Sequence, residues 1–225
     1  MSAHDVGASL AERLGAHAGA HPALRVIDRG SVSSEDVDAF LAHRVFPLVE
    51  PGRALFAWRG QSERVDLVRW IHAGVDRIPF VRLPETDLWL LSMPVQDGGR
   101  FEYKLAINHH DHEEWTLDPL NPARASDPFG ENSVCSTYSY VTPDWAIARG
   151  APSGHIEKLH VESEVFGEIR DERVYLPPHY KPGTPHKLVV IHDGDDFVTY
   201  ADLSVSLDNL IADGDIPPVI AALVQ

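Results

Sequence analysis

Two short aliphatic runs near the end of the 225-residue sequence constrain its fold more than any other feature. Residues 188–191 and 219–224 have the length and composition of strands that are covered on both faces. The helical periodicity between them is carried by Leu203, Leu207, Leu210 and Ile211. Gly214 stands where a C-cap glycine belongs. Strand, helix and strand of these lengths predict a βαβ unit with parallel strands and a right-handed crossover.

Short β-type runs separated by turns fill the region from Arg53 to Tyr140. Residues 101–107 alternate most cleanly, because their odd positions are apolar, as a half-buried strand requires. Gly98-Gly99 ahead of this run predicts a hairpin. The predicted strands cover residues 54–58, 65–70, 88–93, 101–107 and, after a loop through residues 129–132, residues 136–140. This spacing predicts a β-sandwich.

The first 48 residues predict a helical lead-in that packs on the next domain. One amphipathic helix is indicated by Ala8, Leu10, Leu14 and Ala18. A second is expected to begin near Ser33 or Ser34, because Ser33 and Asp36 form a capping pair. The apolar stripe of this helix consists of Val37, Phe40 and Leu41.

Charge and composition exclude several classes of function. The formal net charge of −15 repels phosphate backbones, so no nucleic-acid partner is expected. The longest apolar runs are too short to cross a bilayer, and no signal-peptide pattern precedes them, so we expect no membrane partner and a cytoplasmic location. The single cysteine, Cys135, excludes an internal disulfide and a cysteine-based zinc cluster, and it is expected to be buried.

Three groups of side chains allow both a structural and a functional interpretation. The run of histidines and acids at residues 109–114 could attract a divalent metal, although a polar hairpin tip is favoured. Arg59 and Arg124 could meet an anionic ligand. A sugar-stacking platform or, by preference, core packing is open to Trp58, Trp70, Trp89 and Trp115.

Several motifs resemble the esterase branch of the α/β-hydrolases, to which enterochelin esterases and feruloyl-esterase-like enzymes belong. The resemblance is carried by residues 173–180, which end in Leu-Pro-Pro-x-Tyr, and by residues 188–194, 207–214 and 216–220. Upstream, residues 56–59, 86–89 and 118–122 resemble the N-terminal domain of enterochelin esterases, which has an immunoglobulin-like fold related to early-set modules. Together these stretches cover roughly residues 50–225.

The resemblance implies a mixed fold and an esterase function. A helical lead-in (1–48) precedes an immunoglobulin-like early-set β-sandwich (49–150) and the first part of an α/β-hydrolase domain (151–225). The implied activity is carboxylic ester hydrolysis by a Ser-His-Asp/Glu triad. In iron-uptake members the substrate is a ferric siderophore ester that brings its own iron, so no cofactor or protein-bound metal is expected. The alternative is a non-catalytic carbohydrate- or partner-binding protein with a vestigial hydrolase segment.

The Gly-x-Ser-x-Gly pattern that holds the nucleophile in this fold does not occur in the sequence. Gly150-Ala151-Pro152-Ser153-Gly154 has the wrong spacing. The resemblance places the triad beyond Gln225, so the chain alone is expected to be inactive. The oxyanion-hole candidates are Gly194 and Asp195, in a sharp turn after residues 188–191, with a purely geometric role for Gly194 as the alternative. The strand at 219–224 is expected to lack a neighbour, which leaves an apolar edge open.

Overall fold

The computed structural model describes residues 23–24, 27, 31–71 and 74–225, without the side chains of residues 70 and 71. The chain divides into two compact units, an N-terminal unit (Met1–Val141) and a C-terminal unit (Thr142–Gln225). The helix expected around residues 8–18 lies outside the described residues. No helix of the described part is long and apolar enough to cross a membrane.

Helix α1 (Ser34–Leu41) begins as the capping pair predicts. The Ser33 hydroxyl accepts the Asp36 N–H at 3.1 Å, and the Asp36 carboxylate accepts the Ser33 N–H at 2.9 Å. Val37 and Phe40 are fully buried, and Leu41 packs against the same cluster. The predicted start of this helix and its apolar stripe are therefore confirmed.

The described part of the N-terminal unit contains ten strands, which confirms the expected β-rich character. In chain order they are β1 (Leu48–Glu50), β2 (Arg53–Arg59), β3 (Arg64–Ile71), β4 (Gly74–Pro79), β5 (Val81–Arg82), β6 (Leu88–Pro94), β7 (Arg100–Asn108), β8 (Glu113–Thr116), β9 (Arg124–Asp127) and β10 (Gly130–Ser136). One sheet has the order β1-β2-β6-β5, and the other has the order β4-β3-β7-β10-β9, with β8 also pairing with β7. All of these pairs are antiparallel.

The sheet containing β2 and β6 is covered on both faces. On one face, Leu55 and Leu90 pack in a cluster with Phe40 of α1. On the other face, Phe56 meets Tyr103 of β7 edge-on, with ring centroids 5.2 Å apart. Double coverage explains why β2 and β6 are nearly continuous apolar runs, whereas β7 alternates.

Two expectations for this unit are wrong. Gly98-Gly99 does not close a hairpin, because β6 and β7 belong to different sheets and the chain crosses from one to the other here. Gly98 has a φ of +73° and donates its N–H to the Tyr138 carbonyl at 2.7 Å. The last strand was predicted at residues 136–140, but β10 begins six residues earlier, at Gly130. Residues 137–140 form a turn. The polar residues Asn132 and Ser133 are buried in β10, which concealed it from a hydrophobicity pattern.

The C-terminal unit contains the strand, helix and strand that the sequence predicts, with one further helix between the first strand and the predicted helix. After a 3-10 turn (Asp144–Ala146) it contains β11 (His155–Ser163), β12 (Glu168–Leu176), β13 (Lys187–His192), α2 (Gly194–Tyr200), α3 (Leu203–Asp213) and β14 (Val219–Val224). The sheet has the order β11-β12-β14-β13. Strands β13 and β14 pair in parallel, with Leu188 opposite Ile220, so the predicted parallel strand–helix–strand unit is confirmed. Gly214 caps α3 with a φ of +78°, also as predicted.

The open edge of this sheet is not where the sequence predicts it. Strand β14 pairs with β12 on one side and β13 on the other, so it has both neighbours. The edge strands are β11 and β13, and Leu188 and Val190 of β13 are 65% and 54% exposed. The expectation that residues 188–191 are covered on both faces is therefore wrong. An aliphatic run reports the tendency of a strand to be covered and not its position in the sheet.

Candidate functional site

The turn between β13 and α2 carries both oxyanion-hole candidates. Asp193 follows the last residue of β13 and adopts the left-handed conformation, with φ +54° and ψ +38°. Its carbonyl accepts the N–H of Asp196 at 3.0 Å and of Phe197 at 3.1 Å, which starts the helix. Gly194 and Asp195 are the first two residues of α2. The strand is thus left sharply, and the two candidates lie in the first helical turn.

Position 194 requires a glycine because no side chain fits there, and not because of its backbone conformation. The left-handed residue of the turn is Asp193, whereas Gly194 is buried against β14. A Cβ on Gly194 would lie 2.5 Å from the Cα and the Cβ of Leu223. The role expected of Gly194, a tight backbone path, therefore falls to Asp193, and Gly194 permits close approach of helix to strand.

The N–H groups at the start of α2 are oriented as in any helix. The first four N–H groups of a helix have no intrahelical acceptor. Within the described part of the chain, the N–H groups of Gly194 and Asp195 have no hydrogen-bond acceptor, whereas the Asp196 N–H is bonded to the Asp193 carbonyl. The side chain of Asp195 turns back toward the sheet, where one of its oxygens lies 2.5 Å from Nε of Arg173.

A buried polar cluster joins α3 to the sheet of the C-terminal unit. The Tyr175 hydroxyl on β12 donates to the Asp208 carboxylate at 2.6 Å, and the Gly154 N–H donates to the same oxygen at 2.8 Å. Burial, with the Asp208 hydrogen bond in second place, raises the pKa of Tyr175. A Cβ on Gly154 would lie 2.5 Å from the Tyr175 ring. The stretch from Gly150 to Gly154 thus anchors a helix, which accounts for its final glycine.

Replacing Tyr175 by phenylalanine is expected to lower the free energy of unfolding of the C-terminal unit by about 1–2 kcal/mol, because Asp208 would lose a buried donor. Urea unfolding followed by hydrogen exchange of peptides from α3 measures the change. Tyr200→Phe is the matched control, since Tyr200 is 44% exposed. Equal stability of the two variants would contradict a structural role for the Tyr175 hydroxyl.

The histidine-rich run forms the tip of the β7–β8 hairpin. The His109 N–H donates to the His112 carbonyl at 2.9 Å. Ring nitrogens of His110 and His112 lie 2.7 Å from carboxylate oxygens of Glu63 and Asp111, respectively. The bond to Glu63 raises the pKa of His110. The described residues contain no group of three or more histidine, cysteine or acidic side chains placed to hold a metal ion.

Among the tryptophans whose side chains are described, Trp58 and Trp89 lie on β2 and β6 of one sheet, whereas Trp115 lies on β8, which pairs with the other sheet. Trp89 is buried and donates to the Gly60 carbonyl at 3.2 Å, and its ring centroid lies 6.5 Å from that of Trp58. Trp115 is 40% exposed on β8, where the Arg77 guanidinium lies 5.3 Å from its ring. The side chain of Trp70 is outside the description. The preferred interpretation, core packing, is confirmed for Trp89.

The two arginines considered for anion binding make contacts within the N-terminal unit. Arg59 forms ion pairs with Asp87 at 3.0 Å and with Asp38 of α1, so it ties the helix to β2. Arg124 donates to backbone carbonyls of the preceding turn, including that of Ala123 at 2.9 Å. Neither guanidinium is directed at a ligand cleft in these contacts.

Residues 118–122, which carried part of the resemblance, form a turn with buried polar side chains. The Asp118 carboxylate accepts the Tyr103 hydroxyl at 2.7 Å and the Leu120 N–H at 2.8 Å. The Asn121 amide donates to Tyr103 at 3.0 Å and to the Val134 carbonyl at 2.8 Å. Burial raises the pKa of Asp118. The clustered Asp, Asn and prolines were a signal of a fixed turn.

The chain is similar to one protein family and to several solved structures. Residues 163–225 match the family described as "Putative esterase". The structure is similar to ferric enterobactin esterase from Salmonella typhimurium, with a TM-score of 0.57 at 16% identity over 77% of this chain. It is also similar to an enterobactin esterase from Shigella flexneri solved in the presence of enterobactin, with a TM-score of 0.54 at 18% identity over 77% of this chain.

The enterochelin-esterase resemblance is confirmed. At these identities the structural likeness establishes a shared fold. The chain spans about half the length of the two solved proteins, 53% and 52% respectively. A search of curated proteins gave no match. The esterase-like segment, residues 163–225, contains the β13–α2 turn, the Arg173–Asp195 contact and the parallel strand pair.

Proposed function

We propose that this chain is the first part of an esterase that hydrolyses carboxylic esters with a serine nucleophile. The observation that carries the proposal is the parallel β13–β14 pair, connected through α2 and α3 inside the segment that matches the esterase family. Open parallel sheets with helical connections bind substrates at the carboxyl ends of their strands. The β13–α2 turn lies at such an end.

The domain assignment is part of the same proposal. We propose a helical lead-in at residues 1–48, of which the structure describes residues 23–24, 27 and 31–48, then an immunoglobulin-like early-set domain at 49–150 and the opening of an α/β-hydrolase domain at 151–225. The two antiparallel sheets packed through Phe56 and Tyr103 support the second assignment. The likeness to enterobactin esterases over 77% of this chain supports the order of the domains.

The proposed chemical contribution of the chain is stabilisation of an oxyanion. Serine attack on an ester converts the carbonyl oxygen to an anion, and preorganised N–H donors lower the energy of that state. In α/β-hydrolases one donor comes from the loop between the third strand and the first helix. In the C-terminal unit, β13 is the third strand and α2 the first helix. We therefore assign this role to the N–H groups of Gly194 and Asp195.

The substrate class proposed is a siderophore ester of the ferric enterobactin type, cleaved in the cytoplasm to release iron. Two solved structures with this fold are enterobactin esterases, one of them solved in the presence of enterobactin. Such a substrate brings its own iron, held by catechol oxygens, so ester hydrolysis asks for no metal ligands from the protein. The iron is thus part of the substrate.

The complete reading frame that contains this chain provides the test. Purified protein should cleave p-nitrophenyl acetate and linear or cyclic ferric enterobactin, and alanine in place of the elbow serine should abolish turnover. The 225-residue chain alone should be inactive, since it contains no Gly-x-Ser-x-Gly. A frame without that pattern, or one that has it and shows no turnover, would contradict the proposal and favour a binding protein.

A further inference from the structure

The first turn of α2 is held to the sheet at two adjacent points. Gly194 lies directly on Leu223 of β14, too close for a side chain. Asp195 contacts Arg173 of β12, with 2.5 Å between Oδ1 and Nε. Arg173 and Leu223 are partners across the β12–β14 ladder. Both contacts therefore arise from one rung of the sheet, and together they determine where the turn lies.

Arg173 also affects the electrostatics of the turn, because several acidic side chains lie there. The four residues 193–196 contain the proposed oxyanion donors and three carboxylates, those of Asp193, Asp195 and Asp196. Among the described residues, the ion pair that neutralises one of these three is Arg173–Asp195. An unpaired carboxylate beside a developing oxyanion would repel it, and this repulsion strengthens as water is excluded.

The exposure of the pair argues against a major role in overall stability. The side chains of Arg173 and Asp195 are 30% and 47% exposed. Ion pairs at such exposure contribute little to the free energy of folding, because solvent screens them. A local role, in the geometry and electrostatics of the turn, is the one that their position supports.

We propose that Arg173 is a positioning residue that holds the Gly194 and Asp195 N–H groups in place and neutralises the Asp195 carboxylate. Its catalytic consequence rests on the proposed esterase function, whereas its effect on the turn does not. Arg173 touches neither substrate nor nucleophile in this role, and it acts through Asp195. Sequence periodicity gives no hint of the pair, since the partners are 22 residues apart.

The effect on the turn is tested with the 225-residue chain by amide hydrogen exchange and nitrogen-15 NMR. In Arg173→Met the N–H groups of Asp196 and Phe197, which bond to the Asp193 carbonyl, should exchange about two- to fivefold faster. The resonances of Gly194 and Asp195 should shift. The exchanged pair Arg173→Asp with Asp195→Arg should restore protection. Unchanged exchange and shifts in Arg173→Met would overturn the proposal.

A matched control is Arg170→Met on the same strand. Arg170 pairs with Glu172 at 3.1 Å and donates to the Gln225 carbonyl at 2.9 Å, so it is likewise an arginine of β12 that pairs with a carboxylate. This variant removes the same charge and should leave exchange at Asp196 and Phe197 unchanged. An equal increase in both variants would show that loss of any arginine loosens the unit, and would overturn a specific role for Arg173.

The catalytic consequence is tested in the complete esterase. Arg173→Met should lower kcat for p-nitrophenyl acetate by about tenfold or more, approaching the loss caused by removing an oxyanion donor, with little change in KM. Arg173→Lys should recover part of kcat. Equal loss in kcat and rise in KM, or an unchanged kcat, would overturn the proposal. A wild-type protein without esterase activity would refute the proposed function, and the exchange experiment would still decide the positioning role.

Discussion

Replacing Gly194 by alanine is expected to lower the free energy of unfolding of the C-terminal unit by about 3 kcal/mol, at the upper end of typical overpacking costs. The added Cβ would lie 2.5 Å from the Cα of Leu223 and 2.8 Å from its carbonyl carbon. These are backbone atoms of a strand that is paired on both sides, so they cannot rotate away as a side chain would. Urea unfolding followed by hydrogen exchange of peptides from β13 and β14 measures the loss.

The control for this substitution is Gly183→Asn. Gly183 has a φ of +82° and open space around its Cβ position, and asparagine tolerates left-handed backbone. We expect a cost of about 1 kcal/mol or less there. If Gly194→Ala were as stable as Gly183→Asn, the close contact between α2 and β14 would be wrong, and with it the placement of the turn.

Replacing Asn121 by alanine is expected to lower the free energy of unfolding of the N-terminal unit by about 2–4 kcal/mol, because a buried carbonyl and a partly buried N–H group lose their partner. The Asn121 side chain accepts the Ala123 N–H at 2.9 Å and donates to the Val134 carbonyl at 2.8 Å. Asn121 is buried, so water cannot replace its bond to the Val134 carbonyl. Urea unfolding followed by hydrogen exchange of peptides from β7 and β10 reports the loss.

Tyr103→Phe gives the graded comparison. It removes one hydroxyl from the same cluster, and we expect a loss of about 1–2 kcal/mol, smaller than that of Asn121→Ala. The Tyr103 ring would remain packed against Phe56, so the core itself is preserved. A larger loss in Tyr103→Phe than in Asn121→Ala would mean that the Asp118 carboxylate, and not the asparagine, holds the turn.

Elements with strong local signals were predicted from the sequence. The capping pair Ser33–Asp36 located the start of α1 because both hydrogen bonds lie within one helical turn. Residues 101–107 and the stripe of α3 were found because a strand and a helix repeat their buried positions at different periods. Gly214 ended α3 because its left-handed conformation is a backbone property of that residue alone.

Elements whose burial depends on distant partners were missed. The buried side chain of Ser133 accepts the Asp118 N–H at 2.9 Å, so a polar residue occupies the interior of β10. Gly98-Gly99 has the composition of a hairpin turn, yet β7 pairs with β3, β8 and β10 and not with β6. Which strand a segment joins is settled by contacts that a local pattern does not contain.

The location of the candidate site was predicted, but the contacts that hold it were not. The resemblance placed Gly194 and Asp195 after the right strand, and the structure puts them in the first turn of α2. The reason for the glycine and the partner of the aspartate were not predictable, because Leu223 and Arg173 reach the turn only through the β12–β14 register. No sequence spacing indicates that register.

By itself, the sequence determined the elements that have a clear local pattern, the strand–helix–strand order near the end of the chain, and the esterase resemblance. These follow from periodicities, caps and motifs that act over a few residues. The tertiary structure alone decided that β14 lies between β12 and β13, that β13 lies at an edge of the sheet, and that Arg173 contacts Asp195. Strand pairing joins residues far apart in the chain, so its free energy depends on the whole sheet and not on any one segment.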